Sequence, residues 1–181
     1  MSVAGRKAVE RRIELVSEMT PAIWVHLVFV VAAVVLGGVV LFRRKGDARH
    51  RVLGRAWVGA MAVAAVSSFW IVEINAGGFS PIHALSAWTL FALVAGVVAI
   101  RSRGRVPNAI HWHKRFLQSL YASGLAIAGG FTLLPDRLLG RLTFGEVMPA
   151  ANYVLVGLLA SFGAWLLVRA FARPDPSARK P

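Results

Sequence analysis

The stretch AIWVHLVFVVAAVVLGGVVLF, residues 22–42, contains no acidic or basic side chain apart from a single histidine. A helix needs about 20 apolar residues to cross the roughly 30 Å hydrocarbon core of a bilayer, and this stretch meets that requirement by itself. The whole chain is 57% hydrophobic and only 16% charged, with a mean hydropathy of +0.63. This composition is typical of an integral membrane protein.

Four more apolar stretches follow, and each is long enough to cross a bilayer with modest tilt. They cover about residues 56–73, 82–100, 116–134 and 148–168. We therefore predict an all-α integral membrane protein, a bundle of five transmembrane helices within residues 21–173. A polar, amphipathic segment (residues 1–20) precedes the bundle, and a disordered basic tail (residues 174–181) follows it.

Polar residues mark where several of these helices begin. Thr20 and Ser80 each precede a proline, and Asn108 precedes the fourth apolar region, as expected of N-cap residues. Asp47 could cap the second helix well before residue 56. In that case residues 49–55 form a charged helical extension in the headgroup layer.

The distribution of basic residues predicts the orientation of the chain. Fifteen of the 21 lysines and arginines lie after the first, third and fifth spans. The other six lie on the opposite side of the membrane, which also carries six acidic residues, so the net charge of that side is zero. Because positive charge collects on cytoplasmic loops, the N-terminus is expected outside and the C-terminus in the cytoplasm of a multi-pass cell-membrane protein. Trp24 and Trp70 are expected at the outer interface, and Trp57 and Trp112 at the inner one.

The first twenty residues allow two interpretations. A cleaved signal peptide is disfavoured, because the apolar run is long and a basic loop rather than a small-residue site follows it. Val9, Ile13 and Val16 recur at helical spacing among charges, which favours a short helix lying on the membrane. Alternatively, Met19 is the true start.

Composition also excludes several classes of function. Cysteine is absent, so thiolate metal sites, disulfides and thiol nucleophiles are excluded. The net charge of +13 would suggest nucleic acid as a partner in a soluble protein, but here the basic residues are topology signals. The chain has no nucleotide-binding loop, no G-x-S-x-G and no paired carboxylates. A soluble hydrolase or nucleotide enzyme is therefore not expected.

The placement of the histidines predicts a cofactor. His26 and His83 belong to the outer ends of the first and third spans, whereas His50 and His113 belong to the inner ends of the second and fourth. Imidazole suits haem iron, and a position near a helix N-terminus keeps the ring neutral. One or two b-type haems are predicted, with His26 and His83 as outer ligands and His50 and His113 as inner ligands. The predicted partners of the inner propionates are Arg51, Arg55, Lys114 and Arg115.

This order of ligands resembles the four-helix core of transmembrane di-haem ascorbate and ferric reductases. A closer resemblance is to the predicted membrane proteins of domain of unknown function 2306, over about residues 21–137. His50 to Arg55 is similar to that family's H-R-x-x-G-R, Gly77 to His83 to its G-G-F-S-P-x-H, and His113 to Phe116 to its H-R-R-W. Lys114 and Phe116 replace the usual arginine and tryptophan. The family name assigns no activity, so the resemblance implies a membrane fold and a set of candidate residues.

Three functions are compatible with these sequence features. The first is a membrane electron carrier, a redox subunit that exchanges electrons with a quinol or another redox partner. The second is a cofactor-free scaffold or assembly factor whose histidines form interhelical hydrogen bonds. The third, a small proton-coupled transporter using His26 and Glu73, is disfavoured because there is no pair of interrupted helices and almost no midplane charge. Glycines such as Gly37, Gly38 and Gly124 are expected at close helix contacts, where they could also make room for a porphyrin.

Overall fold

The computed structural model describes residues 3–17, 19–71, 81–134, 137, 140–141 and 149–171. Within these ranges the protein is all-α and contains no strand. The helices are α1 (Val3–Ser17), α2 (Pro21–Phe42), α3 (Ala48–Ser67), α4 (Pro81–Arg101), α5 (Ala109–Ser123), α6 (Gly130–Thr132) and α7 (Pro149–Phe171). A 3₁₀ turn, Ser68–Trp70, continues α3, and a π-helical segment, Gly124–Gly129, joins α5 to α6. The all-α prediction is confirmed.

The start of α3 follows the cap predicted at Asp47. The Asp47 carboxylate accepts a hydrogen bond from the His50 amide at 2.6 Å and pairs with Arg43 at 2.8 Å. Helix α3 therefore begins at Ala48, and residues 49–55 are its charged first turns. Thr20 and Pro21 also begin α2 as predicted, although the Thr20 side chain accepts no capping hydrogen bond. Ser80 lies outside the described residues.

Four helices surround the core. Contacts run from α2 to α3, from α3 to α4, from α4 to α5 and from α5 back to α2, while α7 packs on α5 and on the π segment. Helices α3 and α5 therefore lie diagonally opposite each other. The core is built mostly from small and aliphatic side chains with one tryptophan, among them Ala33, Trp57, Ala92, Leu120 and Ala122.

Trp57, which was expected in the aromatic belt of the inner interface, does not face lipid. Its side chain is 3% exposed and lies in the core, whereas Trp24, Trp70 and Trp112 are 44%, 66% and 46% exposed. Trp57 follows His50 by seven residues, so it lies two turns further along the same face of α3. That face points into the bundle. The position of Trp57 in the sequence indicates its depth in the membrane but not the direction of its side chain.

Some glycines lie where helices approach closely. A Cβ atom on Gly37 would stand 2.6 Å from Trp57 Nε1 and against the Tyr121 ring. On Gly163 of α7 it would stand 2.6 Å from the Ala126 Cβ. The predicted packing role is thus confirmed at Gly37, whereas a Cβ on Gly124 would meet no atom within 4 Å.

Three helical regions are long and apolar enough to cross a membrane: Pro21–Phe42, Ala48–Trp70 and His83–Arg101. Tyr153–Arg169 is a shorter apolar helix. Large apolar side chains such as Val28, Phe91, Val94 and Leu158 are more than half exposed, which a helix bundle tolerates when lipid surrounds it. The protein is a membrane protein that contacts lipid. Five spans and the orientation of the termini stay predictions, and residues 174–181 lie outside the described ranges.

Candidate functional site

A cavity of about 850 Å³ opens at the end of the bundle where α3 and α5 begin. We call it the inner cavity. All four core helices contribute to its walls, for example through Leu41 of α2, Val58 of α3, Val97 of α4 and Leu117 of α5. Its volume falls in the range of small-molecule and cofactor sites.

His50 and His113 line this cavity from diagonally opposite helices. The Asp47 cap fixes the first turn of α3, which carries His50. His113 lies in the second turn of α5. The structure thus brings together the predicted inner pair on two walls of one cavity.

The His113 ring has a defined tautomer. Its Nδ1 atom lies 2.8 Å from the Gly96 carbonyl oxygen of α4. A carbonyl oxygen can only accept, so Nδ1 carries the proton, and Nε2 of the neutral ring keeps its lone pair. Histidines that bind metals usually donate their other ring N–H in this way. His50 differs, because its Nδ1 atom is buried and no described residue is hydrogen-bonded to it.

The lining of the cavity is strongly cationic. Among the described residues, no acidic side chain lines it, and six basic side chains do: Lys45, Arg51, Arg55, Arg101, Arg103 and Lys114. Three of the four predicted propionate partners, Arg51, Arg55 and Lys114, are in this group. Arg115 is not among the residues that line the cavity, and neither is His111, whose ring contacts Trp112 at a centroid distance of 6.2 Å.

Gly37, Trp57 and Tyr121 also line the inner cavity. The Tyr121 hydroxyl donates to the Val34 carbonyl oxygen at 2.9 Å, and its ring meets Trp57 edge-on at 6.4 Å between centroids. Trp57 Nε1 is buried without a hydrogen-bond partner among the described residues. A buried polar atom of this kind is uncommon in folded proteins and often marks a place where a ligand or water binds. The sequence predicts Trp57 at the interface rather than in this site, although its seven-residue spacing from His50 puts both residues on one face of α3.

At the other end of the bundle, the His26 side chain is hydrogen-bonded to the backbone of α3. Its Nδ1 atom lies 2.8 Å from the Ala64 carbonyl oxygen, so Nδ1 donates, and Ser67 Oγ lies 3.3 Å away. The ring is half-buried. This bond satisfies a polar group within an apolar helix by joining α2 to α3.

His83 is 7% exposed and lies beside Phe69, with 5.7 Å between ring centroids. Nearby, Ser68 Oγ and Ser86 Oγ are 2.6 Å apart. His26 and His83 therefore both approach the C-terminal end of α3. A groove of about 510 Å³ also lies at this end, and neither histidine is among the residues that line it.

The described part of the chain contains no group of three or more His, Asp or Glu side chains placed to hold a metal ion. A haem needs only two axial side chains, so this finding does not bear on the predicted pair. Glu73, the carboxylate considered for a proton path, lies outside the described residues.

A protein-family model described as a predicted membrane protein (DUF2306) matches residues 23–173, most of the chain. No curated protein and no solved structure matches the sequence. The family expected from the motifs at His50, Gly77 and His113 is therefore confirmed.

Proposed function

This chain belongs to the DUF2306 family of predicted membrane proteins, and we propose that it carries electrons through a b-type haem held in the inner cavity by His50 and His113. In the same proposal it crosses the cell membrane five times, with its N-terminus outside and its C-terminus in the cytoplasm. The observation that carries the proposal is that histidines from two diagonal helices line one cavity.

The charge of the chain supports the proposed topology. The basic residues around the inner cavity belong to the loops that positive charge marks as cytoplasmic. Five spans bring the C-terminal basic residues to the same side. The inner cavity then opens to the cytoplasm.

The residues of the cavity fit a haem. His113 Nε2 has its lone pair available because Nδ1 donates to Gly96. His50 stands on the opposite wall, and its ring makes no hydrogen bond to a described residue through Nδ1. Arg51, Arg55 and Lys114 line the cavity, and their positive charge supports a role as partners of the propionates. Arg115, which we expected in this role, does not line the cavity.

Haem iron held by two imidazoles supplies reversible one-electron transfer. This chain would contribute the two imidazole nitrogens that bind the iron, basic side chains that balance the negative charge of the propionates, and apolar walls that exclude water. Val58, Val97 and Leu117 give the cavity apolar walls, which lower the local dielectric and thereby tune a reduction potential. A quinol or another redox partner would donate or accept the electron.

The proposal covers one haem. A second haem between His26 and His83 stays a prediction from the sequence. Both rings approach the end of α3, but neither lines the groove of about 510 Å³ described there.

A cofactor-free scaffold is the second candidate function, and a specific observation favours it. His26 and His113 each donate Nδ1–H to a backbone carbonyl of a neighbouring helix. These are the interhelical hydrogen bonds that the scaffold hypothesis predicts for the histidines. The test must therefore separate iron ligation from helix bridging.

Absorption spectra of the detergent-solubilised protein from haem-replete cells, oxidised and dithionite-reduced, provide this test. We expect a Soret band and a reducible alpha band. In His113→Asn the amide nitrogen can replace Nδ1 as the donor to Gly96, but no second ring nitrogen remains. The bands should be lost in His113→Asn and in His50→Ala.

His111→Ala is the matched control. His111 precedes His113 by two residues, so it lies on the opposite side of α5, and it does not line the cavity. It should keep the full spectrum. A colourless wild-type protein would rule out the haem and leave the scaffold as the better explanation. Haem bands that are unchanged in His113→Asn would show that His113 is not a ligand and would overturn the haem proposed in the inner cavity.

A further inference from the structure

Helix α1 presents three apolar side chains that no core helix covers. Val9, Ile13 and Val16 are 46%, 64% and 40% exposed. At about 100° per residue they fall within one arc of roughly 60° on the helix. Glu10, Glu14 and Ser17 are exposed on the adjacent arc. The described part of α1 is therefore amphipathic.

The position of α1 along the chain restricts what this face can meet. Only residues 18–20 separate α1 from α2, which is the most apolar of the candidate spans among the described residues. Trp24, Val25 and Val28, in the first two turns of α2, are exposed toward lipid. The apolar arc of α1 thus begins within a few residues of a lipid-contacting surface.

We propose that α1 lies on the membrane surface and inserts Val9, Ile13 and Val16 among the lipid chains next to α2. A helix of 15 residues is marginal in water without such a surface. Three aliphatic side chains are far fewer than the 20 to 30 residues a standard protein interface uses on each side, which argues against a second copy as the occupant.

The charge of the segment indicates how it binds lipid. Residues 3–18 contain four basic and three acidic side chains, so their net charge is close to zero. Apolar burial rather than attraction to anionic headgroups therefore holds α1 in place. Binding should be the same on zwitterionic and anionic bilayers and should not respond to salt.

The chain has no cysteine, so single nitroxide labels can be placed directly in the full-length protein. Labels at Val9→Cys, Ile13→Cys and Val16→Cys are compared with labels at Glu10→Cys, Glu14→Cys and Ser17→Cys. The protein is reconstituted in phosphatidylcholine nanodiscs, and its accessibility to oxygen and to a water-soluble nickel chelate is measured by power saturation. Val28→Cys and Arg105→Cys serve as lipid and water references.

We expect the oxygen-to-nickel accessibility ratio at Val9, Ile13 and Val16 to exceed that at Glu10, Glu14 and Ser17 several-fold, with or without added phosphatidylglycerol and at low or high salt. Equal nickel accessibility at Ile13 and Glu14 would show the apolar arc in water and overturn the proposal. Exclusion of both reagents at Ile13 would show that protein covers it, which also overturns the proposal. A ratio that collapses in high salt would contradict binding by apolar burial.

Discussion

The Nδ1 atom of His113 lies 2.8 Å from the carbonyl oxygen of Gly96, so one hydrogen bond joins the second turn of α5 to α4 at the wall of the inner cavity. This bond has two separable consequences. It connects two helices, and it leaves Nε2 as the unprotonated nitrogen. The first consequence can be measured without any cofactor.

In haem-free protein, His113→Ala should lower the free energy of unfolding by about 0.6 kcal/mol, the average for interhelical hydrogen bonds in membrane proteins. His113→Asn should stay close to wild type, because its side-chain amide can still donate to Gly96. Unfolding in mixed micelles measures both. Equal losses in the two variants would indicate that the bond to Gly96 contributes nothing.

Gly37→Ala should be the most damaging small substitution in α2. The added methyl group would meet Trp57 Nε1 at 2.6 Å and the Tyr121 ring. Overpacking of this kind typically costs about 1–3 kcal/mol. Thermal unfolding in detergent gives the comparison.

Two glycines provide graded controls for this experiment. Gly38→Ala approaches only the Tyr121 hydroxyl, at 3.3 Å, and should cost less. Gly59→Ala in α3 meets no atom within 4 Å and should be neutral or stabilising, because alanine favours a helix. A Gly37→Ala protein as stable as Gly59→Ala would contradict the close contact of α2 with Trp57 and Tyr121.

Asp47 should make the inner end of α3 sensitive to acid. The hydrogen bond from the His50 amide, and after it the one from Arg43, lower the pKa of Asp47 below its usual 3.8. Its contribution to stability is therefore complete above pH 3.8 and is lost as the pH falls through the lower pKa of the folded state. Hydrogen exchange of the first-turn amides of α3 should accelerate there.

Asp47→Asn should abolish this acid response while keeping much of the cap, because asparagine is also a favourable N-cap residue. Asp47→Ala should accelerate exchange of the His50 amide at neutral pH. An acid response that persists in Asp47→Asn would assign it to another group.

Cysteine labelling tests the proposed topology in the cysteine-free chain. With a membrane-impermeant maleimide on intact cells, Ser17→Cys should react, whereas Arg105→Cys and Ser177→Cys should react only after permeabilisation. Labelling of both Ser17→Cys and Ser177→Cys from outside would require an even number of spans. Labelling of Arg105→Cys from outside would invert the orientation.

The features that the sequence predicted well depend on local signals. Asp47 precedes a charged segment with a helix-capping residue type, and α3 begins there. The order of the apolar stretches predicts that two histidines, His50 and His113, lie at one end of the bundle. It predicts that the other two, His26 and His83, lie at the opposite end. Each of these inferences needs only neighbouring residues and the thickness of a bilayer.

The features that it missed depend on which face of a helix turns inward. Trp57 occurs in an apolar segment where every face is similar, so its burial depends on contacts with Gly37 and Tyr121 from other helices. Arg115 likewise lies outside the cavity because of how α5 is rotated about its own axis. The π segment at Gly124–Gly129 was likewise not predicted.

The Asp47 cap also determines the ionic environment of the inner surface. Its carboxylate is committed to the His50 amide and Arg43, and it is the only acidic side chain described between Pro21 and Phe171. Arg44 and Arg49, which flank it in the sequence, are exposed, and so are Arg101 and Arg105. We expect the positive field of these side chains to concentrate small anions at the mouth of the cavity and to deplete magnesium and polyamines. Because the Debye length is about 8 Å at physiological ionic strength, this local enrichment weakens as salt rises.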